Sequence, residues 1–182
     1  MKEKSGTRAK ASTNRRANGT KRAASNSSAS GRAPDAIALL KSDHREVDEL
    51  VQRYEKARSD RKEAIARQIC LALRVHAQIE EELLYPAARE SLDADGGDLV
   101  DEAAVEHATL KRLVGEVEGS SPRDSLYDAK VTVIGEYVKH HVKEEEKELF
   151  PKLRDSELDL KALGEQLAAR KAVLMQERQR AG

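Results

Sequence analysis

His76-Ala77-Gln78-Ile79-Glu80-Glu81-Glu82-Leu83-Leu84-Tyr85-Pro86 recurs 65 residues later as His141-Val142-Lys143-Glu144-Glu145-Glu146-Lys147-Glu148-Leu149-Phe150-Pro151. Histidine, two glutamates, leucine, an aromatic residue and proline occupy matching places in the two stretches. Residues four apart on a helix share a face about one turn apart, so His76 with Glu80, and His141 with Glu145, can aim an imidazole and a carboxylate at one point. Glutamate runs such as 80–82 and 144–146 ordinarily make a solvated face; the fixed offset from a histidine sets Glu80 and Glu145 apart. Upstream, His44 is followed by Leu50-Val51, and His107 by Leu113-Val114 at the same spacing. The chain therefore reads as a duplicated helix pair with pseudo-twofold symmetry, and a metal pair would lie near its axis.

Outward from these stretches, apolar residues fall at alternating spacings of three and four, the stripe of a helix packed in a bundle. The first seam is Ile37, Leu40, His44, Val47, Val51 and Tyr54, and the second is Ile65, Ile69, Ala72, His76, Ile79 and Leu83. The third is Val100, Ala103, His107, Leu110, Val114 and Val117, and the fourth is Val131, Ile134, Val138, His141, Glu145 and Leu149. Asp60 with Glu63 predicts a capping-box start for the second helix, which should stop near Leu92. Asp95-Gly96-Gly97-Asp98 reads as the turn into the third, and Gly119-Ser120-Ser121-Pro122 as the break after it. Ser121 as cap and Pro122 at the first helical position would then open the fourth. Short connections favour an all-α fold, an antiparallel up-down-up-down four-helix bundle over residues 34–154. The extension 155–182 carries Leu160, Leu163, Leu167 and Leu174 at helical spacing. A fifth helix there would either pack on the bundle or join two chains.

Each of the four seams contains one histidine. A buried imidazole without a partner costs about 1–3 kcal/mol, so one such residue would ordinarily be a core histidine bonded to a carbonyl or carboxylate. Four of the chain's five histidines on four successive inward faces point instead to one convergent site. His44, His76, His107 and His141 with Glu80 and Glu145 would offer neutral nitrogens and anionic oxygens to metal. Imidazole plus carboxylate without thiolate favours iron or manganese over structural zinc, with manganese or zinc still possible. The single cysteine, Cys70, forbids an intrachain disulfide framework and a multi-cysteine zinc site; six residues before His76, it falls off the metal-facing seam and reads as an ordinary small residue.

Among 182 residues, 36% are charged and only 3% aromatic, so the interior must be built from Leu, Ile, Val and Ala. No window approaches the roughly 18 apolar residues of a membrane span, and no short apolar run near the N-terminus reads as a signal peptide. No membrane partner and a cytoplasmic location are expected. The net charge of zero hides an asymmetry: residues 1–33 hold nine Lys/Arg against one acid, Glu3, a formal +8. Filled with Ser, Ala, Asn, Gly and Thr, that segment has too little apolar surface to offset the entropy of ordering and reads as a disordered basic tail. It could bind nucleic acid or another polyanion through counterion release, serve only as a solubilising arm, or, in a eukaryote, act as a transit peptide.

From about residue 35 to 153 the chain resembles the hemerythrin family in its HHE cation-binding branch. The matching residues are His44, the His76/Glu80 pair ending in Tyr85-Pro86, His107, and the His141/Glu145 pair ending in Phe150-Pro151. The resemblance implies a four-helix bundle holding a cofactor of two iron ions, a non-haem di-iron centre, oxo- or hydroxo-bridged, whose carboxylates span the metals and which binds dioxygen. The ferritin-like di-iron pattern needs Glu-x-x-His, and no histidine here has Glu three residues before it. Oxygen-carrying hemerythrins resemble this chain but have a second histidine four residues after the one on the third helix, where Lys111 stands. The site thus looks one imidazole short. His140, the spare histidine, sits about 100° around its helix from His141. The missing nitrogen would leave an open position, or Glu81, Glu144, Glu146 or water would fill it.

Three function classes follow. The leading one is a di-iron binding protein that binds or senses O2 or a related small oxidant, with the basic tail bringing it to an anionic partner. The second is a peroxide- or nitric-oxide-consuming oxidoreductase on the same ligands. The third is a structural bundle, metal-free or zinc-binding, that acts through its tail. An apolar interior supplies few proton donors and so favours reversible binding, unless Tyr54, Tyr85, Tyr127 or Tyr137 reaches the pocket.

Overall fold

The computed structural model describes residues 34–181, and the segment 1–33, read above as a disordered basic tail with a possible polyanion-binding role, lies outside the described residues. Helix α1 (Ala36–Lys56) begins at Asp35, whose carboxylate accepts the Ala38 N–H at 2.7 Å. Helix α2 (Ser59–Ile79) passes through a π-helical turn, Glu80–Leu84, into α3 (Tyr85–Ser91). After α4 (Ala94–Glu118), the second half repeats the scheme: α5 (Tyr127–Glu144), a π-helical turn Glu145–Leu149, then α6 (Phe150–Asp155). The fifth rod is α7 (Leu160–Ala181). Among the described residues there is no strand, and no helix is long and apolar enough to cross a membrane.

The apolar core falls into two clusters that reveal the direction of each rod. One collects Ile37 and Leu40 before His44, Val100 and Ala103 before His107, Leu84 and Tyr85 after His76, and Leu149 and Phe150 after His141. The other collects Val47 to Tyr54, Ile65 to Leu73, Leu110 to Val117 and Tyr127 to Val138. On every rod the change of cluster falls at or just beside the histidine, with Val75 before His76 already in the first cluster, and the order reverses from rod to rod. That is the alternation of an antiparallel bundle, with α1 and α4 each packed between α2 and α5.

The helix starts differ from three expectations. Asp60 pairs with Arg58 at 3.4 Å and Glu63 with Arg67 at 2.6 Å, so these acids serve side chains and no capping box forms. Asp93 caps α4 by accepting the Gly96 N–H at 3.0 Å, which draws Asp95–Asp98 into the helix in place of a turn. Helix α5 starts at Tyr127 and not at Pro122, because Asp124 accepts the Ser121 N–H at 2.9 Å and holds the segment in turns. The second helical rod does stop with Ser91, one residue before Leu92.

The π turns change the register of the second seam. Leu83 is only half-buried, while Leu84 and Ala88 are wholly buried. A strict α-helix turns 400° in four residues and would carry the line His76, Glu80, Leu84, Ala88 off the core by about 40° per step. One extra residue in the turn holds that line inward, and does the same for His141, Glu145, Leu149 and Leu153.

Helix α7 packs on its own bundle, against α1 and α2, burying Leu163, Leu167 and Leu174. Its approach is close enough to require Gly164: a Cβ there would lie 2.5 Å from the Pro34 carbonyl oxygen. Leu167→Ala should therefore cost about 2–5 kcal/mol, read as a lower midpoint in chemical denaturation, as for any fully buried leucine.

Candidate metal centre

All six residues singled out in the sequence meet in the layer between the two apolar clusters. His44, His76, Glu80 and Glu145 form one group of mutually close donor atoms, and Glu80, His107 and His141 form a second that shares Glu80. The Nε2 atoms face inward: His44 Nε2 lies 3.3 Å from Glu145 Oε2, and His76 Nε2 lies 3.1 Å from Glu80 Oε2. His107 Nε2 is 3.5 Å from Glu80 Oε2, and His141 Nε2 is 3.6 Å from Glu145 Oε2. Each carboxylate, though rooted on one rod, reaches a histidine of the other half.

Each outer nitrogen faces a further carboxylate. His44 Nδ1 bonds Glu146 at 2.9 Å, His107 Nδ1 bonds Glu81 at 3.2 Å, and His141 Nδ1 bonds Glu106 at 2.7 Å. Asp43 Oδ2 approaches His76 Nδ1 at 3.8 Å. The pattern is reciprocal across the duplication. The acid before His44 serves His76, and the acid before His107 serves His141. The acid after Glu80 serves His107, and the acid after Glu145 serves His44. An imidazole that donates Nδ1–H outward presents the Nε2 lone pair inward, the tautomer that a metal requires. These four acids were not read as imidazole partners in the sequence, yet the repeat carries their signal: Asp43-His44 matches Glu106-His107, and Glu80-Glu81 matches Glu145-Glu146.

The buried charges fit a cation. His44 Nε2, His76 Nε2, both oxygens of Glu80 and Glu145 Oε2 are buried with no hydrogen-bond partner, each an energetic cost that a coordinated cation removes. His107 Nε2 and His141 Nε2 stand 3.1 Å apart, a spacing two ring nitrogens tolerate with a proton or a metal between them. Burial, then the neighbouring Glu145 and Asp43, push the Glu80 carboxyl well above its usual range. Burial also raises Glu145, but His141, His44 and His76 outweigh it and hold that carboxyl down at about 2. Burial and His141 depress His107 to about 3, burial dominates a downward shift at His76, and both imidazoles are thereby kept neutral. His141 moves upward because Glu145 and Glu106 outweigh its burial.

The position opposite Lys111 is resolved by an aromatic residue. Tyr85 Oη lies 3.2 Å from His107 Nε2 and donates to Glu145 Oε1 at 3.1 Å. Its counterpart in the repeat, Phe150, has no hydroxyl and stacks on the His44 ring at 5.8 Å. Lys111 bonds both oxygens of Glu81 at 2.8 Å, so it braces the acid behind His107. Glu81 and Glu146 face outer nitrogens rather than the centre. His140 is 58% exposed and pairs with Glu106 and Glu144 at the surface. Tyr54 donates to Asp128, and Tyr127 is buried in the other cluster. Cys70 is buried there too, its thiol raised to about 12 by burial and Glu118.

The Hemerythrin HHE cation binding domain matches residues 35–153. The chain belongs to this hemerythrin family. A solved hemerythrin HHE cation binding domain-containing protein, the Rv2633c homolog from Mycobacterium kansasii, shares the fold with a TM-score of 0.66 at 22% identity, covering 78% of this chain and 87% of that one. A DNA nickase from Nostoc sp. (strain PCC 7120) is 29% identical over 120 residues, 65% of this chain and 33% of the relative, so this hemerythrin spans about one third of that protein's length.

In this candidate centre the burial of Glu80 ties stability to pH. With its folded-state affinity for a proton raised, the stability Glu80 contributes is whole below the ordinary glutamate range and is lost as pH rises through the higher folded value. Glu80→Gln should make the metal-free protein more stable than wild type by about 1–3 kcal/mol at alkaline pH, with the gap closing in acid. It should also abolish stabilisation by added divalent cation. Denaturation in chelator across pH, repeated with metal, checks both.

Proposed function

We propose that this protein holds two iron ions between its four bundle rods and uses them to bind or sense O2 or a related small oxidant in the cytoplasm. The observation that carries the reading is the convergence of four imidazole Nε2 atoms on two buried carboxylates that have too few partners of their own. His44 and His76 would hold one ion, His107 and His141 the other, with Glu80 and Glu145 reaching both. Iron in such a centre supplies the electrons that an oxidant accepts. The chain supplies the rest. Its outer carboxylates orient each ring, and the apolar layers on either side exclude water. The donor set of nitrogen and carboxylate oxygen, with the Cys70 sulfur in the other cluster, suits iron or manganese better than structural zinc.

Metal analysis and absorption spectra of anaerobically iron-loaded protein, before and after O2, test this. Two irons per chain and a new charge-transfer band on oxygenation are expected, and His141→Ala should lose both. Less than one iron per chain in the wild type overturns the proposal.

Tyr85 favours the enzymatic reading as a second one. Its hydroxyl places a proton inside the site, beside Glu145, where the apolar interior otherwise offers few, and protons are what O–O bond cleavage consumes. If the protein consumes peroxide, Tyr85→Phe should lower turnover by about 100-fold while leaving iron content unchanged. Wild-type protein that leaves peroxide untouched rules this reading out. For residues 1–33, the formal +8 together with the DNA nickase relative supports contact with nucleic acid. A DNA mobility shift that weakens with salt and vanishes on deleting residues 1–33 is the expected result.

A further inference from the structure

The four outer carboxylates are themselves braced by basic side chains. Glu81 is held by Lys111 at 2.8 Å, Glu146 by Lys41 at 3.1 Å, and Glu106 by His140 at 3.4 Å. Those three partners come from α4, α1 and α5, rods of the bundle itself. The fourth comes from elsewhere. Asp43 is only 6% exposed, and its Oδ1 accepts from Lys171 Nζ at 2.7 Å, a residue of α7 that lies beyond the hemerythrin match at residues 35–153.

Lys171 interrupts an apolar seam. Leu163, Leu167 and Leu174 are buried on the same face of α7, and Lys171 occupies the step between the last two. Packing alone would be served by another leucine there. The other polar contacts of α7 converge on the same region: Arg170 holds Glu82 in the π turn at 2.6 and 3.0 Å, and Arg178 donates to Gln78 at 3.1 Å. In sequence Asp43 precedes His44, and Gln78 and Glu82 lie two residues either side of Glu80.

We propose that Lys171 is a positioning residue for the candidate metal centre: from α7 it holds Asp43 behind the outer nitrogen of His76 and thereby sets the affinity of the subsite containing His44 and His76. The inference rests on the metal-binding reading above. Without Lys171, Asp43 would be a buried carboxylate lacking its cation and would leave its place for solvent. His76 would then lose the carboxylate that faces its outer nitrogen at 3.8 Å. Loss of such an outer partner lowers metal affinity by roughly 10–100-fold.

Cobalt(II) titration of the metal-free full chain, followed by visible absorption, tests this without any assay of activity. Lys171→Met keeps the stem and removes the charge. It should weaken one of two cobalt sites by about 10–100-fold and leave the other unchanged. Lys171→Arg should restore wild-type binding, and Arg170→Ala, which frees only Glu82, should not disturb it. Lys171→Met should weaken the site surviving in His107→Ala but not the one surviving in His44→Ala. A Lys171→Met protein that titrates like wild type, or loses both sites equally along with its metal-free melting temperature, overturns the proposal. Wild type that binds no cobalt overturns the metal reading and this inference together.

Discussion

Two carboxylates, Glu80 and Glu145, face one another in the middle of a helical bundle, and the surrounding structure is organised to make that tolerable. Like charges in a dry interior repel, and one of the pair is driven to hold a proton unless positive charge enters the layer. Four imidazoles close around them, and an acid faces the outer nitrogen of each ring. Lysines and a surface histidine in turn contact the acids. Polar groups therefore stack outward from the axis in successive pairs. The π turns belong to the same constraint, since they widen the helix where Glu80 and Glu145 emerge and keep both side chains aimed inward.

The duplication makes this arrangement nearly symmetric, and two departures from symmetry stand out. Tyr85 and Phe150 occupy equivalent places, yet one brings a hydroxyl to the ring of His107 and the other only an aromatic face to His44. Lys171 adds a second departure, because α7 has no counterpart in the other half and covers only one side of the bundle. The two halves of the centre thus begin from the same residues and differ in proton supply and in bracing. Two cations held there would have unequal surroundings, the condition under which one ion can anchor and the other react.

Much of the fold was legible because helices advertise themselves by period. Every member of the first, third and fourth seams is buried. The six candidate residues were legible for a related reason: polar groups repeated on apolar faces are improbable unless they meet. Helix starts were less legible, since Asp60 pairs with Arg58, Asp93 caps α4 ahead of Asp95, and Asp124 bonds back to Ser121, and a string of residues does not say which partner is nearer. Leu83 against Leu84 failed for another reason. A π turn leaves the composition unchanged and moves the register by one.

The sequence by itself determined the rods, their alternation, and the set of imidazoles and carboxylates that would face inward, because periodicity and repetition are one-dimensional properties of the chain. Only the tertiary structure decided which acid lies behind which imidazole, that Tyr85 rather than Glu81, Glu144, Glu146 or His140 reaches the centre, and that α7 closes over its own bundle with Lys171 against Asp43. Those pairings join residues 22 to 128 positions apart. They depend on the rotation of each rod and on where two helix surfaces touch, and neither is written in the spacing of residues along a single helix.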